Sequence, residues 1–177
     1  MKKKEIKLYN ALFPMYLLWA FPPLIIVLLP ANFVLDSIVL MISLSAFHLP
    51  KGTIYKRTIV AIWGFGFLAD FIGSAFLFFV SRCICDFIGT CSLFEESIQK
   101  SAVSLSQAIE YNPFSEVLAF LITLTAIAIS GLCIYKFNAK WTFKDVDINT
   151  AHKKRIALVL AIVTAPYMLL LPSILFF

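Results

Sequence analysis

An all-α integral membrane protein with about five transmembrane helices is the fold class this sequence predicts, and three observations predict it. The chain is 61% hydrophobic and 14% charged, with a mean hydropathy of +0.92. Soluble domains sit nearer 45–50% apolar and about 25% charged, so the polar residues here are too few to cover a water-facing core. The apolar residues also fall in windows close to the roughly 20 residues that cross a bilayer. Finally, the basic residues gather in alternate connecting segments, as topology demands of membrane proteins. One transmembrane domain spanning residues 1–177 follows from the length.

The first window covers about 9–29 and the second about 32–49, separated only by "LPAN". Pro14, Pro22, Pro23 and Pro30 lie in or beside this pair. Each lacks a backbone N–H, so the first helix is expected to be kinked. A re-entrant hairpin in "FPPLIIVLLPANFVLD" is the alternative to two full spans, and it is tolerated only where protein or water satisfies the freed backbone. The basic start and apolar core imitate a signal peptide, but the core is too long and no small-x-small cleavage site follows. The third window runs over about 58–80, the fourth over about 115–135 and the fifth over about 156–177.

Between the third and fourth windows lies an outer segment, 81–114. Within it Phe94, Ile98, Ala102, Leu105 and Ile109 recur at helical spacing opposite Glu95, Glu96, Gln99 and Lys100. This predicts an extracytoplasmic amphipathic helix. Between the fourth and fifth windows lies a basic inner loop, 136–155.

Lys2, Lys3, Lys4, Lys7, Lys51, Lys56, Arg57, Lys136, Lys140, Lys144, Lys153, Lys154 and Arg155 all fall on one side of this layout. Arg82 and Lys100 fall on the other. The cation bias places the N-terminus in the cytoplasm and the C-terminus outside, in a plasma membrane of bacterial type. It also accounts for the net charge of +5 without nucleic acid, since no basic stretch lies on a soluble domain.

"GFGFLADFIGS", residues 64–74, sets one acid in the middle of the third window. On a helix, Asp70 shares its face with Trp63, Gly66, Phe67, Gly73, Ser74 and Leu77. Small residues mark close helix–helix approach in membranes, so Asp70 is expected to point into a seam near the midplane. A charge there costs about 2.5–3.5 kcal/mol on insertion scales, which makes an intramembrane acid a functional-site hypothesis by default. Packing glue between helices is the structural alternative.

Asp36 is expected to be shallower, near the outer end of the second window, with Asn32 and Ser43 on its face. In the fourth window Glu116, Thr123 and Ser130 form a polar line at intervals of seven, beside Ala119, Ala126 and Cys133. Thr123 is placed at a depth similar to Asp70. The expected substrate or ion site is therefore Asp70, Gly66, Gly73 and Ser74, with Asp36 and Thr123.

Cys83, Cys85 and Cys91 lie in the outer segment, where a disulfide joining Cys91 to one of the others is expected; their spacing matches no zinc motif. Neither a metal nor a cofactor is expected. His48 and His152 both fall at the inner interface. The sequence contains no G-x-S-x-G, no H-E-x-x-H and no phosphotransferase-type Asp cluster, so no enzyme is expected.

The reading that follows is a component of a transport or channel system for a cation, proton or small polar solute. It is expected to work with the lipid bilayer and with a second copy or other membrane subunits. A structural or assembly subunit is the first alternative. A lipid-linked substrate carrier or lipid-modifying protein, its basic inner edge meeting headgroup phosphates, is the second.

Overall fold

The structure, a computed structural model, describes the backbone of residues 22–172 and the side chains of residues 29–172. All the regular secondary structure among the described residues is helical, with no strand. Helix α1 is Pro22–Ala46 and α2 is Lys51–Phe78; α3 is the short Asp86–Thr90 and α4 is Glu96–Tyr111. Helix α5 is Val117–Phe137 and α6 is Thr150–Val163. Among the described residues, three segments are long and apolar enough to cross a membrane: Leu29–Ala46, Lys51–Thr90 and Val117–Thr142.

The boundary expected at "LPAN" is absent. Helix α1 runs unbroken through Pro30, so neither a second span starting at 32 nor a hairpin turn at 30–32 exists among the described residues. One proline costs a single helical hydrogen bond and a local kink, and the long apolar helix absorbs it. The first expected span lies outside the described residues as far as 21.

Beyond α2 the chain does not leave the helix at 81. It passes through a π-helical turn, Phe79–Cys85, into α3. The continuous segment Lys51–Thr90 is 40 residues, about 60 Å at helical rise. That is twice the ~30 Å of a hydrocarbon core, so much of it projects beyond one.

The amphipathic helix is α4. Ala102, Ser106, Ala108 and Ile109 are buried, whereas Phe94 and Ile98 stay exposed, so only its C-terminal half is docked. The expected last span is shorter than the sequence window. Helix α6 starts at Thr150 and ends at Val163, where Thr164 turns its hydroxyl and N–H back onto the Leu160 carbonyl. Pro166 follows, and the residues before a proline disfavour the α conformation. Its 14 residues are fewer than the roughly 20 of a span; residues 173–177 lie outside the described residues.

The connection α1–α2 is a tight turn in which His48 takes φ 53°. At that end Leu40, Leu44, Ile54, Ile59, Ile62, Ile134, Ile156, Ala157 and Leu160 form the larger core. The loop after α5 does more than carry charge. Phe143 is fully buried in that core with Val146 beside it, behind a second π-helical turn, Asn138–Thr142. Phe47 stacks on His152 at 5.1 Å, closing α1 onto α6. A smaller core of Leu77, Ala108, Ile109, Ala119 and Ala126 lies at the opposite end.

Candidate functional site

Helix α2 carries the polar groups of interest and divides them between two neighbours. Toward α5, the Ser130 hydroxyl donates to the Ala69 carbonyl at 3.0 Å. Gly73 makes this approach possible. A Cβ at Gly73 would stand 2.0 Å from Ser130 Oγ and 2.9 Å from the Ala126 carbonyl oxygen. Glycine is required there by backbone proximity, so Gly73 belongs to a filled helix–helix contact.

Because Ser130 meets Ala69 and Ala126 meets Gly73, the two helices run antiparallel. Thr123 therefore falls a turn beyond Gly73, away from Asp70. Its buried hydroxyl is spent on the Ala119 carbonyl at 2.9 Å in its own helix. At the level of Asp70 the α5 residue is Ser130, seated on the Ala69 carbonyl, and not the Thr123 that the sequence suggested. Glu116, at the end of the same stripe, accepts a hydrogen bond from Ser104 of α4.

Toward α1 the picture changes. Asp36 is only 5% exposed, and among the described residues no side chain or N–H hydrogen-bonds its carboxylate. A Cβ at Gly66 would lie 3.7 Å from Asp36 Oδ2. Asp36 thus faces α2 one helical turn from Asp70, and the two acids interact electrostatically. Oδ1 of Asp70 is buried and has no hydrogen-bond partner. Ser74, also expected here, is half-buried.

Asp36 is not at the outer end of a helix. With α1 continuous, 14 residues from Pro22 to Asp36 put about 21 Å of helix beyond it at the usual rise. The shallow placement failed because it rested on a chain reversal at 30–32.

Aromatic residues lie one to two helical turns from this pair along α1 and α2. Trp63 lies edge-on to Phe33 at 6.1 Å and to Phe67 at 5.5 Å, and its indole N–H donates to the Leu29 carbonyl at 3.1 Å. Nearer the α1–α2 turn, Ser37 Oγ donates to the Phe33 carbonyl at 2.7 Å and pairs with the Tyr55 hydroxyl at 3.0 Å. No lysine, arginine or histidine ion-pairs with Asp36 or Asp70 among the described residues.

A second polar cluster, at the C-terminal end of α2, was not anticipated. Arg82, in the first π-helical turn, donates to Asp86 Oδ2 and to Glu110 Oε2, both at 2.9 Å. Ser81 Oγ donates to Glu110 Oε1 at 2.6 Å, and Ser106 Oγ donates to Asp86 Oδ1 at 2.9 Å. The cluster bolts α4 onto α2. Burial pushes the Glu110 carboxyl above its ordinary range, against the lowering by the Ser81 hydrogen bond and the Arg82 charge. Sequence offered one signal, since Arg82 is one of two cations on the acidic side of the layout.

The four cysteines are free thiols, so the expected disulfide is absent. Cys83 is exposed and Cys85 buried, because neighbours two apart on a helical turn project to different sides. No group of three or more His, Cys, Asp and Glu suited to a metal occurs among the described residues.

Comparison with protein-family models, curated proteins and solved structures finds no match for this chain.

Proposed function

We propose that the chain is a component of a membrane transport or channel system whose site for a cation, proton or small polar solute is the Asp36–Asp70 pair. One observation carries the reading: Asp36 is almost wholly buried, Asp70 buries an oxygen with no partner, and nothing described neutralises either. Such groups cost several kcal/mol unless something meets them, and in membrane segments they mark ion or substrate pathways. Gly66 leaves the carboxylate of Asp36 approachable from α2. The inner side is the end that gathers Lys51, Lys56, Arg57, Lys140, Lys144, Lys154 and Arg155, in keeping with cation bias.

The test is Asp70→Asn in proteoliposomes, where side-chain size is kept and charge removed. Flux of protons, alkali ions or a solute panel that the parent protein carries should fall at least about tenfold, equivalent to about 1.4 kcal/mol. Flux equal to that of the parent protein would refute the reading.

An assembly subunit is the second reading, favoured by the α2–α5 contact, where Gly73 and Ser130 are packing glue of the small-residue kind.

A further inference from the structure

Resting on that reading, we infer that the cargo at the Asp36–Asp70 pair is a lipophilic organic cation. An inorganic ion held within a protein needs about six or more oxygen ligands if divalent, and Na⁺ in membrane sites draws on unwound backbone carbonyls. Neither supply is at hand among the described residues. Helices α1 and α2 are unbroken around the two acids. Two carbonyls of this region that take an additional donor are already engaged, Leu29 by Trp63 and Ala69 by Ser130. The Ser37 hydroxyl is occupied by Phe33 and Tyr55. Among the described residues, no third acid, histidine or cysteine joins the pair as a metal ligand.

One to two helical turns from the acids along α1 and α2 stand aromatic side chains. Trp63 and Phe67 share the helical face of Asp70, and Phe33 sits one turn from Asp36 on α1. Their rings touch across the α1–α2 seam. The Trp63–Leu29 hydrogen bond fixes the indole in place. An aromatic face attracts a cation within about 6 Å of its centre, more strongly when water is excluded. Carboxylates beside anchored aromatic rings suit a positive charge that carries its own apolar coat. Such a ligand needs no oxygen shell to replace lost hydration.

The test uses purified full-length protein in detergent and equilibrium binding of tetraphenylphosphonium. Neutral triphenylphosphine oxide serves as the shape control and Na⁺ as a competitor. The cation should bind at least about tenfold tighter than the neutral control, with Na⁺ displacing little of it. Asp36→Asn and Asp70→Asn should each weaken binding about tenfold. Trp63→Leu should weaken it about fivefold, with Trp63→Phe losing less.

Equal binding of cation and neutral control, or binding unchanged in both Asn variants, would overturn the inference. Absent tetraphenylphosphonium binding, alongside proton or Na⁺ flux that Asp70→Asn abolishes, would discard the organic cargo while the transport reading stands. Intact flux in Asp70→Asn would discard the transport reading itself. Trp63→Phe retains an aromatic ring and the fold, so a graded loss in it separates cation recognition from misfolding.

Discussion

Helix α2 meets α5 along one flank and α1 along another, and the two seams handle their polar groups in opposite ways. Against α5, Ser130 donates to the Ala69 carbonyl and fills the space that Gly73 leaves. Among the described residues, the buried hydroxyls of Ser130 and Thr123 both have acceptors, and Gly73 brings the backbones close together. Against α1, two carboxylates are brought together with no cation among the described residues, and one buried oxygen has no partner there. Groups that serve as glue are satisfied within the fold, because an unpaired polar atom weakens the joint it sits in. The α1–α2 seam breaks that rule, and departures of this kind are expected at functional sites.

The first way to sharpen the contrast is to spoil the satisfied seam. Gly73→Ala puts a methyl group into Ser130 Oγ and against the Ala126 carbonyl. Overpacking of this sort costs about 1–3 kcal/mol, and thermal unfolding in detergent should show the loss. Adding Ser130→Gly should recover only part of it, since the backbone contact remains. Full stability in Gly73→Ala would mean that the close approach is not needed.

A loss of about 1–3 kcal/mol, confined to one element, is expected from Arg82→Gln. Glu110 has a side chain only 10% exposed and would lose its charged partner, the penalty of an unmade buried bond. Hydrogen exchange across 96–111 should speed up while α5 stays protected. Uniform protection throughout would show that the Arg82 cluster does not hold α4.

The smallest effect is on pH. Because burial raises the Glu110 carboxyl, the folded chain holds that proton at a pH where the unfolded chain has released it. Stability at the α4 joint is therefore greatest on the acid side, and declines as pH climbs from the ordinary glutamate range to the raised one. Exchange rates in 96–111 should follow that trend, and Glu110→Gln should flatten it.

How far the sequence could be read depended on the range of the interaction. Hydropathy and helical periodicity are local sums, so the all-helical class and the helix at 96–111 were legible. Proline was over-read at 30–32, because its cost is one hydrogen bond and the apolar run on either side outweighs it. It was under-read at 166, where helix α6 stops short and the sequence window runs on to 177. The face of Asp70 looked like one surface, yet Gly66 and Gly73 open onto different neighbours. Only contacts between helices decide that. The same holds for Ser130 in place of Thr123, and for Asp36, whose depth followed from whether the chain turned before it. The Arg82 cluster joins residues 28 apart through a π-helical turn, which leaves no periodic trace.

The central claim is that Asp36 and Asp70 are placed for a ligand and do not hold helices together. The most direct measurement is the unfolding temperature of Asp70→Asn in detergent, without ligand, against the parent protein. An equal or higher temperature is predicted, because the amide removes the desolvation cost of an unpaired buried carboxylate. A clearly lower temperature would show that the carboxylate is part of the glue, and would contradict the account.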